Sequence, residues 1–473
     1  MKMVGDSFDL NVKRRIHVVG IGGPGMSAIA QVLFEMGHTV SGSDIVESPA
    51  TDRLKALGVK VSIGHDVALV AGCDAVTFSS AIRQSNIEVA AALAEPTIAL
   101  LTRAQMLAAI CDQRPTVAVA GTHGKTTTTS LLMHVLERAG RKPSFVIGGD
   151  VRSVETGAGW RDGDLFVVEA DESDGTHLEL PIRATILTNI DVDHLDRYSS
   201  FENIVSSFEE YVAKVDGPKV LCSDDAAVAT IAQKYGAITY GIASEADFRA
   251  CEVSLAHGAS SFTVQHLDTG GYVTLGKVYL PLRGQHNVLN ALAAIAMAMQ
   301  FEVAFDDCCD ALSTFGGVVR RFDHRGMDGG ATFIDDYAHL PNEIAAVLKA
   351  SRDETDNWKR VVAVFQPNRF NRMNVLSPQY ADSFVGADIV VITEIYASGT
   401  TPIEGVTGHL VVEAIRQAHP QASVVWQPAR SDLIEFLANE LSAGDLCISM
   451  GCGDIESLPD EVIAFRLAKR GVV

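Results

Sequence analysis

Short apolar runs alternate with amphipathic helical patterns over most of the chain. A run at 16–19, a helical pattern at 26–36 and a second run at 39–41 predict a β-α-β unit, and two more strand-like runs follow before residue 80. Strands that alternate with helices build parallel sheets. We therefore predict a Rossmann-like domain over residues 1–112.

The alternation continues in a second segment. Apolar runs at 116–120, 164–169 and 184–187 are followed, from 248 to 282, by strand-like alternation with glycine turns. We predict a central P-loop-type ATPase domain over residues 113–322, with a small antiparallel patch.

The third segment, residues 323–473, contains four apolar runs that each end in polar or glycine residues. Ligands bind at the carboxyl ends of strands in open parallel sheets, so this segment predicts a second Rossmann-like domain with a binding edge. The length of 473 residues agrees with three domains of roughly 150 residues each. The predicted fold class is α/β with three domains.

Composition limits the possible functions. A net charge of −21 opposes broad binding to nucleic acids or anionic membranes. No apolar stretch reaches the roughly 18 residues of a membrane span, and the N-terminus lacks the apolar core of a signal peptide. Eight cysteines show no C-x-x-C pair or zinc-ligand spacing. We expect free thiols in a cytoplasmic protein, and the oligomeric state stays open.

A glycine-rich loop, AGTHGKTTT, joins the run at 116–120 to a helical pattern. Backbone N–H groups at such a turn bind phosphate. Lys125 adds a positive charge, and the Thr126 hydroxyl is a ligand for the Mg²⁺ of a nucleoside triphosphate. The usual P-loop has glycine where this chain has Val119. The loop therefore predicts a shortened triphosphate site, made of Gly121, Thr122, Gly124, Lys125, Thr126 and Thr127.

Two acidic clusters follow strands of the second segment. The sequence ADESD contains Glu172, and IDVDHLD contains His194. Carboxylates at neighbouring strand ends bind Mg²⁺ between phosphates. Histidine is a less usual Mg²⁺ ligand, so a hydrogen bond that orients Asp193 or Asp196 is an equal alternative for His194.

Two further patterns leave alternatives open. Gly20, Gly22 and Gly25 have G-x-G-x-x-G spacing, which predicts either a tight turn or a diphosphate site for NAD or a UDP-sugar. At the start of an alanine-rich helix, polar side chains either cap the helix or contact the adenine or ribose of ATP. These side chains are His286, Asn287 and Asn290.

Taken in chain order, seven motifs resemble those of the Mur ligases over essentially the whole chain: GTHGKTTT, EADESD, TNIDVDHLD, GQHNVLNALAA, FGGVVRRF, DDYAH and MGCGDI. The resemblance implies an ATP- and Mg²⁺-dependent amide ligase of peptidoglycan precursor synthesis. The start HVVGIGGPGMSAIA is similar to two members, the one that joins L-alanine to the lactyl carboxylate of UDP-N-acetylmuramate and the murein-peptide ligase. The motif EADESD favours the first of these. In this family ATP converts the carboxylate to an acyl phosphate, which the amine then attacks.

The resemblance implies roles for particular residues. Lys125 steadies the β- and γ-phosphates, and Arg321 neutralises the transferring phosphate. Asp335 or Asp336 accepts a hydrogen bond from the ATP ribose. The implied Mg²⁺ ligands are Thr126, Glu172 and His194. The implied contacts to the UDP-sugar are Gly20, Gly22, Gly23, Gly25, Asp44, Ser79 and Ser80, without any redox use of the glycine motif.

The resemblance also implies an amino-acid site in the third segment. Arg369 and Arg372 hold the carboxylate of the incoming amino acid, since a guanidinium binds a carboxylate through two parallel hydrogen bonds. Tyr337 lines the pocket, and His339 is a candidate base for the attacking amine.

This chain departs from the family at two positions of that site. Leu340 and Asn368 stand where the family usually has histidine. Either those histidines are dispensable or the acceptor is glycine, serine or another small amine. We expect L-alanine, because both arginines and Tyr337 are present.

Other hypotheses remain. A murein-peptide ligase of the same family attaches a preformed tripeptide to UDP-N-acetylmuramate. An NAD-dependent oxidoreductase would use the first glycine motif alone. A catalytically inactive regulator is disfavoured by the presence of Lys125, Glu172, His194 and Arg321. For Arg320 and Arg321 the alternative is a salt bridge at the boundary between two segments.

Overall fold

The computed structural model describes residues 8–79, 81–243, 245–352 and 358–471. These residues form three β-sheets, of five, ten and six strands. Each sheet draws its strands from one continuous stretch of the chain, and helices connect its parallel strands. The predicted α/β fold class is confirmed.

The first sheet is parallel, with strand order β3-β2-β1-β4-β5. The order reverses between β1 and β4, which is where open α/β sheets bind ligands. The Gly20–Gly25 loop follows β1 and lies at this point. The elements are β1 Arg15–Val19, α1 Pro24–Glu35, β2 Thr39–Asp44, α2 Pro49–Leu57, β3 Lys60–Ile63, β4 Ala75–Phe78, α3 Ile87–Ala94, β5 Ala99–Thr102 and α4 Arg103–Cys111.

The second sheet has the strand order β15-β14-β13-β12-β11-β10-β6-β9-β7-β8. Its strands are β6 Thr116–Ala120, β7 Ser144–Val151, β8 Thr156–Gly159, β9 Phe166–Glu169, β10 Ala184–Leu187, β11 Lys219–Cys222, β12 Ile238–Gly241, β13 Phe248–Ala256, β14 Ala259–Asp268 and β15 Gly271–Leu280. Its helices are α5 Lys125–Arg138, α6 Leu195–Tyr198, α7 Phe201–Ala213, α8 Ala226–Tyr235, α9 Gln285–Gln300 and α10 Phe305–Ser313.

Strand β6 lies at the centre of this sheet, between β9 and β10, and is parallel to both. The loops after these three strands therefore leave the sheet at one edge. Only two residues connect β13 to β14 and β14 to β15. A two-residue connection joins antiparallel strands, so these three strands form the predicted antiparallel patch.

The third sheet has the order β16-β17-β21-β18-β19-β20 and is parallel except for the β16–β17 hairpin. Its elements are β16 Asp323–Asp328, β17 Ala331–Asp336, α11 Pro341–Ser351, β18 Arg360–Phe365, α12 Phe370–Leu376, β19 Ile389–Ile392, α13 His409–Ala418, β20 Val424–Trp426, α14 Arg430–Glu440, β21 Asp445–Met450 and α15 Leu458–Lys469. The carboxyl ends of β17, β18, β19 and β21 lie along one edge.

The chain packs into two compact units. The first unit extends to Glu252 and adds Phe262–Leu280 and Val288–Gly316, so it includes the first sheet and most of the second. The second unit contains Val253–Ser261, Pro281–Asn287 and the chain from Gly317 onward. The domain boundaries at 112 and 322 remain predictions.

Helix α5 anchors the central loop to the core. Every residue from Thr126 to Leu136 is buried, and a helix that is buried on all sides belongs to the core. The first turn of α5 is therefore held in place by packing around the whole helix.

Two predictions from composition have structural counterparts. All eight cysteines are free thiols. Within the part of the chain that the structure describes, none of the helices has both the length and the apolar character that a membrane crossing needs.

Candidate functional site

The central glycine loop turns directly from β6 into α5. Gly121 has φ 127° and Gly124 has φ 80°, conformations that other residues adopt only with strain. A Cβ atom on Gly121 would lie 2.1 Å from Thr188 Oγ1, and one on Gly124 would lie 2.6 Å from Asn290 Oδ1. Both positions therefore require glycine for conformation and for space.

The segment after β10 fixes the shape of this loop. The backbone N–H of Thr122 donates to the Asn189 carbonyl (3.0 Å), and that of His123 donates to Asn189 Oδ1 (2.8 Å). The His123 ring lies 2.9 Å from Asp191 Oδ2. The TNIDVDHLD motif therefore holds the glycine loop in its conformation through these hydrogen bonds.

Lys125 bends back into the loop. Its ammonium donates to the Gly121 carbonyl (2.6 Å) and to both Glu172 carboxylate oxygens (3.0 and 2.8 Å). Burial opposes the charged form of Lys125, but the carboxylates of Glu172, Asp171 and Glu169 outweigh it and raise its pKa. Lys125 is therefore a fully charged cation held at the mouth of the loop.

The Thr126 hydroxyl contacts a carboxylate that sequence analysis missed. Thr126 Oγ1 lies 3.2 and 3.0 Å from the two Glu169 oxygens, and Glu169 Oε2 also accepts from the Gly148 N–H (2.9 Å). Glu169 is the last residue of β9, and Glu172 contacts Lys125 instead. Glu169 is the first glutamate of the EADESD motif. Its position at the end of β9 is the one sequence feature that distinguishes it from Glu172.

The predicted metal ligands occupy one sheet edge without forming a cluster of three. His194 Nε2 lies 3.0 Å from Asp193 Oδ2, which is the orienting contact considered as the alternative. Among the described residues, no group of three or more His, Cys, Asp and Glu side chains is arranged to hold a metal. The oxygen pair of Thr126 and Glu169 suits Mg²⁺, which prefers oxygen ligands and completes its shell with water and phosphate. The role of Glu172 and His194 as ligands stays a prediction.

The three polar residues around the start of α9 fall into different compact units. Asn290 is buried and lies against Gly124 of the loop. His286 and Asn287 belong to the second compact unit, where Asn287 Nδ2 donates to the Arg283 carbonyl (2.8 Å). Asn290 therefore lies at the loop, and ATP contacts by His286 and Asn287 stay predictions.

The first glycine loop is braced by β2. The N–H groups of Gly20 and Ile21 donate to the Ser43 carbonyl (2.8 and 3.0 Å). The Gly22 N–H donates to Asp44 Oδ2 (2.8 Å), so the predicted uridine contact Asp44 is already bound to the loop itself.

Three other residues are predicted to contact the UDP-sugar, and the structure describes two of them. Gly23 precedes α1 and donates its N–H to the Gly20 carbonyl (3.2 Å). Ser79 lies beside Gly20, with its Cβ 3.9 Å from where a Gly20 Cβ would be. Ser80 falls outside the described residues.

A buried carboxylate supports this loop from behind. Glu88 is fully buried and accepts from the Ser43 hydroxyl and the Asp66 N–H. His17 and His65 lie 3.5 and 3.2 Å from its Oε2. Burial acts to raise the pKa of Glu88, but these hydrogen bonds together lower it to about 2. Glu88 therefore stays ionised behind the loop.

The acidic pair after β17 serves the fold of the second unit. Asp335 is fully buried between Arg320 Nε (2.9 Å) and Ser449 Oγ (3.2 Å). Asp336 accepts from the N–H groups of Phe322 (2.7 Å) and Ala338 (2.8 Å). Burial raises the pKa of Asp336 to about 6. Both carboxylates therefore have partners within the fold, and their contact with the ATP ribose stays a prediction.

The two hinge arginines differ. Arg320 forms ion pairs to Asp335 and Glu456, both within the second unit, so these pairs are not the salt bridge between segments that was considered as the alternative. The Arg321 guanidinium lies 5.1 Å from the centre of the Tyr337 ring, a cation–π distance.

The predicted base has an ordered ring. His339 Nδ1 lies 3.1 Å from the Tyr337 carbonyl, so in the neutral ring Nδ1 carries the proton and Nε2 is the basic nitrogen. The His339 ring also meets the Tyr337 ring edge to face at 5.4 Å.

The predicted carboxylate-binding residues lie together after β18. Arg372 Nη1 donates to Asn368 Oδ1 (2.7 Å), and the Arg369 N–H donates to the Tyr396 carbonyl (2.9 Å). Burial raises the pKa of the nearby Cys452 thiol, while Arg372, Arg369 and Arg320 act to lower it. The charges of these three arginines therefore act on Cys452, a residue that sequence analysis did not single out.

Four non-glycine residues at these sites have left-handed backbone conformations. Their φ angles are 51° for His194, 62° for Arg320, 47° for Phe322 and 61° for Arg369. Such conformations cost about 1–3 kcal/mol each and cluster at functional sites.

Comparison with known proteins agrees with this arrangement. Three family models match in order: "Mur ligase family, catalytic domain" at 15–115, "Mur ligase middle domain" at 119–298 and "Mur ligase, glutamate ligase domain" at 320–453. The chain is 42% identical over 445 residues to the UDP-N-acetylmuramate–L-alanine ligase of Geobacter sp. strain M21, which covers 93% of this chain and 95% of that relative. The chain belongs to the Mur ligase family.

Solved structures resemble this Mur ligase over nearly its full length. The UDP-N-acetylmuramate–alanine ligase of Thermotoga maritima has a TM-score of 0.80 at 28% identity and covers 97% of this chain and 100% of its own. A murein peptide ligase from Psychrobacter arcticus has a TM-score of 0.69 at 26% identity, with 95% and 98% covered. The three-domain Mur ligase fold expected from the sequence is confirmed.

Proposed function

We propose that this Mur ligase joins L-alanine to the lactyl carboxylate of UDP-N-acetylmuramate while ATP is converted to ADP and phosphate. The observation that supports it most is the 42% identity, over 93% of the chain, to a ligase of that name. This similarity also favours L-alanine over the preformed tripeptide of the murein-peptide ligases. We place the reaction in the cytoplasm, where both nucleotide substrates are found.

Phosphoryl transfer depends mainly on the placement of charge. Lys125 is a charged donor at the loop mouth, and in the reaction it exchanges part of its contact with Glu172 for the β- and γ-phosphates. The N–H groups at the start of α5 bind the same phosphates. A carboxylate oxygen of the lactyl group then attacks the γ-phosphorus, and ADP leaves.

Thr126 and Glu169 are the residues we propose to hold Mg²⁺, because their oxygens lie 3.0 to 3.2 Å apart at the loop. Glu172 and His194 remain candidate ligands from the family resemblance. When bound, the ion neutralises negative charge on the phosphate oxygens.

The second half of the reaction uses Arg321, which precedes β16, and residues that follow β17 and β18. Arg369 and Arg372 bind the carboxylate of L-alanine, His339 Nε2 accepts a proton from its amine, and Arg321 neutralises the departing phosphate. The amine nitrogen attacks the acyl carbon, and the C–O bond to phosphate breaks as the amide forms.

The test measures phosphate release with ATP, Mg²⁺ and UDP-N-acetylmuramate, adding L-alanine, glycine, L-serine or the tripeptide L-Ala-γ-D-Glu-diaminopimelate in separate reactions. We expect release with L-alanine at the highest kcat/KM and a product heavier by one alanine residue. A higher kcat/KM with glycine or L-serine would refute the assigned acceptor, and activity with the tripeptide alone would assign the chain to the murein-peptide ligases. Absence of release with every acceptor would refute the ligase itself.

A further inference from the structure

The segment between β18 and α12 is tied by backbone hydrogen bonds to the loop that follows the neighbouring strand β19. The Tyr396 N–H donates to the Pro367 carbonyl (2.8 Å), and the Arg369 N–H donates to the Tyr396 carbonyl (2.9 Å). Asn368 and Tyr396 form an isolated parallel bridge. Asn368 is therefore fixed at the carboxyl edge of the third sheet before its side chain makes any contact.

The side chain of Asn368 is buried and is directed at Arg372. Asn368 is 2% exposed and Arg372 is 8% exposed. Asn368 Oδ1 accepts a hydrogen bond of 2.7 Å from Arg372 Nη1. The two residues are four positions apart, one helical turn, so the turn from strand to helix sets this contact.

An amide acceptor affects a guanidinium differently from a carboxylate or an imidazole. Guanidinium has five N–H donors in one plane, and the bond to Asn368 fixes that plane while using one donor. The amide is neutral at all pH values near 7, so it leaves the charge of Arg372 undiminished for a ligand carboxylate. A histidine here would repel the guanidinium whenever it became protonated.

We propose that Asn368 is a positioning residue for acceptor binding: it orients Arg372 so that the guanidinium binds the α-carboxylate of a small amino acid. The inference rests on the proposed function and extends it. The family usually has histidine at this position. Here the proposed positioning role belongs to an amide, which does not titrate near neutral pH. The affinity for the amino acid is thereby independent of protonation at residue 368.

The deciding variant is Asn368→Asp, which keeps the size and the acceptor oxygen but adds a negative charge beside Arg372. We expect the KM for L-alanine to rise at least tenfold, while the KM values for ATP and UDP-N-acetylmuramate stay within twofold of wild type. The melting temperature should stay the same or rise, because the new ion pair is buried, so loss of affinity is separated from unfolding. Asn374→Asp is the matched control, since Asn374 is exposed on the same helix, and it should leave all three KM values unchanged.

A second variant tests the pH dependence. In Asn368→His, the ratio of its KM for L-alanine to that of wild type should increase several-fold as the pH falls from 8 to 6. The ratio removes the ionisation of the amino acid itself, which is common to both enzymes.

Two results would overturn the proposal. One is a KM for L-alanine within twofold of wild type in Asn368→Asp. The other is a parallel rise in the KM for all three substrates, which indicates a general structural role. If wild type uses glycine or L-serine, the same measurements apply with that acceptor, because the α-carboxylate is shared. If wild type ligates no amino acid, the proposed function fails first and this proposal fails with it.

Discussion

The glycine loops after β1 and β6 both lead from a buried parallel strand into a helix, yet they obtain positive charge differently. The loop after β6 contains its own cation, Lys125, held by Glu172 at 2.8 Å. The loop after β1 has no cation of its own, and its Gly22 N–H is bound by Asp44. Helix α4 supplies a cation at this loop: a Cβ atom on Gly25 would lie 3.2 Å from Arg103 Nη1.

This difference teaches that similar glycine spacing does not imply similar chemistry. In dinucleotide sites the third glycine allows close packing of helix on strand, whereas here Gly25 leaves room for an arginine. Arg103 Nη2 is held by Asp174 (2.6 Å) and Thr176 (3.1 Å), which follow β9 of the central sheet. The loop after β6, proposed to bind ATP, contains its own cation, whereas the loop after β1, proposed to bind the UDP-sugar, has a cation supplied by helix α4.

Removal of Lys125, the cation within the loop after β6, should have the largest effect on the rate. Lys125→Ala removes the charge at the β- and γ-phosphates, and we expect kcat to fall by about 10²–10³, the usual cost of one preorganised electrostatic contact. Steady-state phosphate release measures this, with Arg138→Ala as a control at the far end of the same helix. Retention of more than a tenth of wild-type kcat would contradict the assigned role of Lys125.

The next effect concerns the oxygen pair at the same loop. Glu169→Gln keeps the contact with Thr126 but removes the negative charge, so we expect about a 10²-fold lower kcat and a higher Mg²⁺ concentration for half-maximal rate. Titration of the rate with Mg²⁺ measures both. Glu179→Gln, at a distance in the same segment, serves as control. An unchanged Mg²⁺ requirement would remove Glu169 from the metal site.

At the first loop, the support from Glu88 should appear as a pH effect on stability. Its folded pKa of about 2 lies below the ordinary glutamate value of 4.5, so its stabilising contribution is complete above pH 4.5 and is lost as the pH falls towards 2. The difference in unfolding free energy between wild type and Glu88→Gln should decrease by roughly 2–3 kcal/mol over that range. Urea unfolding at several pH values measures it.

The control for this measurement is Glu47→Gln, because Glu47 is an exposed carboxylate in the same segment. The difference between wild type and this control should change much less with pH. A flat difference for Glu88→Gln would mean that Glu88 is not preferentially ionised in the folded protein.

Removal of Arg103, the cation that helix α4 supplies to the first glycine loop, should have the smallest effect. Arg103→Ala should raise the KM for UDP-N-acetylmuramate about tenfold, the value of one charge-assisted contact to phosphate, with the KM for ATP unchanged. Arg53→Ala is a matched control, because Arg53 also pairs across the same two segments, with Asp150 at 2.6 Å. An equal rise in both variants would make Arg103 a structural link only.

Sequence patterns located these loops well because both depend on local order: an apolar run, glycine and the start of a helix. They could not select Glu169 over Glu172, since that depends on where β9 ends beside Gly148 of β7. They also could not pair Arg320 with Asp335, which requires the β16–β17 hairpin and its neighbour β21.

Distance along the chain explains the remaining omissions. Arg103 is 78 positions after Gly25 and reaches it only because β5 and α4 complete the first sheet. The sequence shows that Asn368 departs from the family pattern. It could not predict the contact between Asn368 and Arg372, because that contact depends on the orientation of both side chains. Tertiary contacts of this kind have no local signature.

The left-handed backbone at His194, Arg320, Phe322 and Arg369 also has an evolutionary consequence. At His194 and Arg369 glycine would relieve backbone strain, so a population selected only for heat resistance should accumulate glycine or asparagine there. Cells that depend on the ligase would eliminate the same changes. Arg320 differs, because glycine there would leave the buried Asp335 without its ion pair. Deep mutational scanning under the two selections should therefore give opposite preferences at the codons for His194 and Arg369.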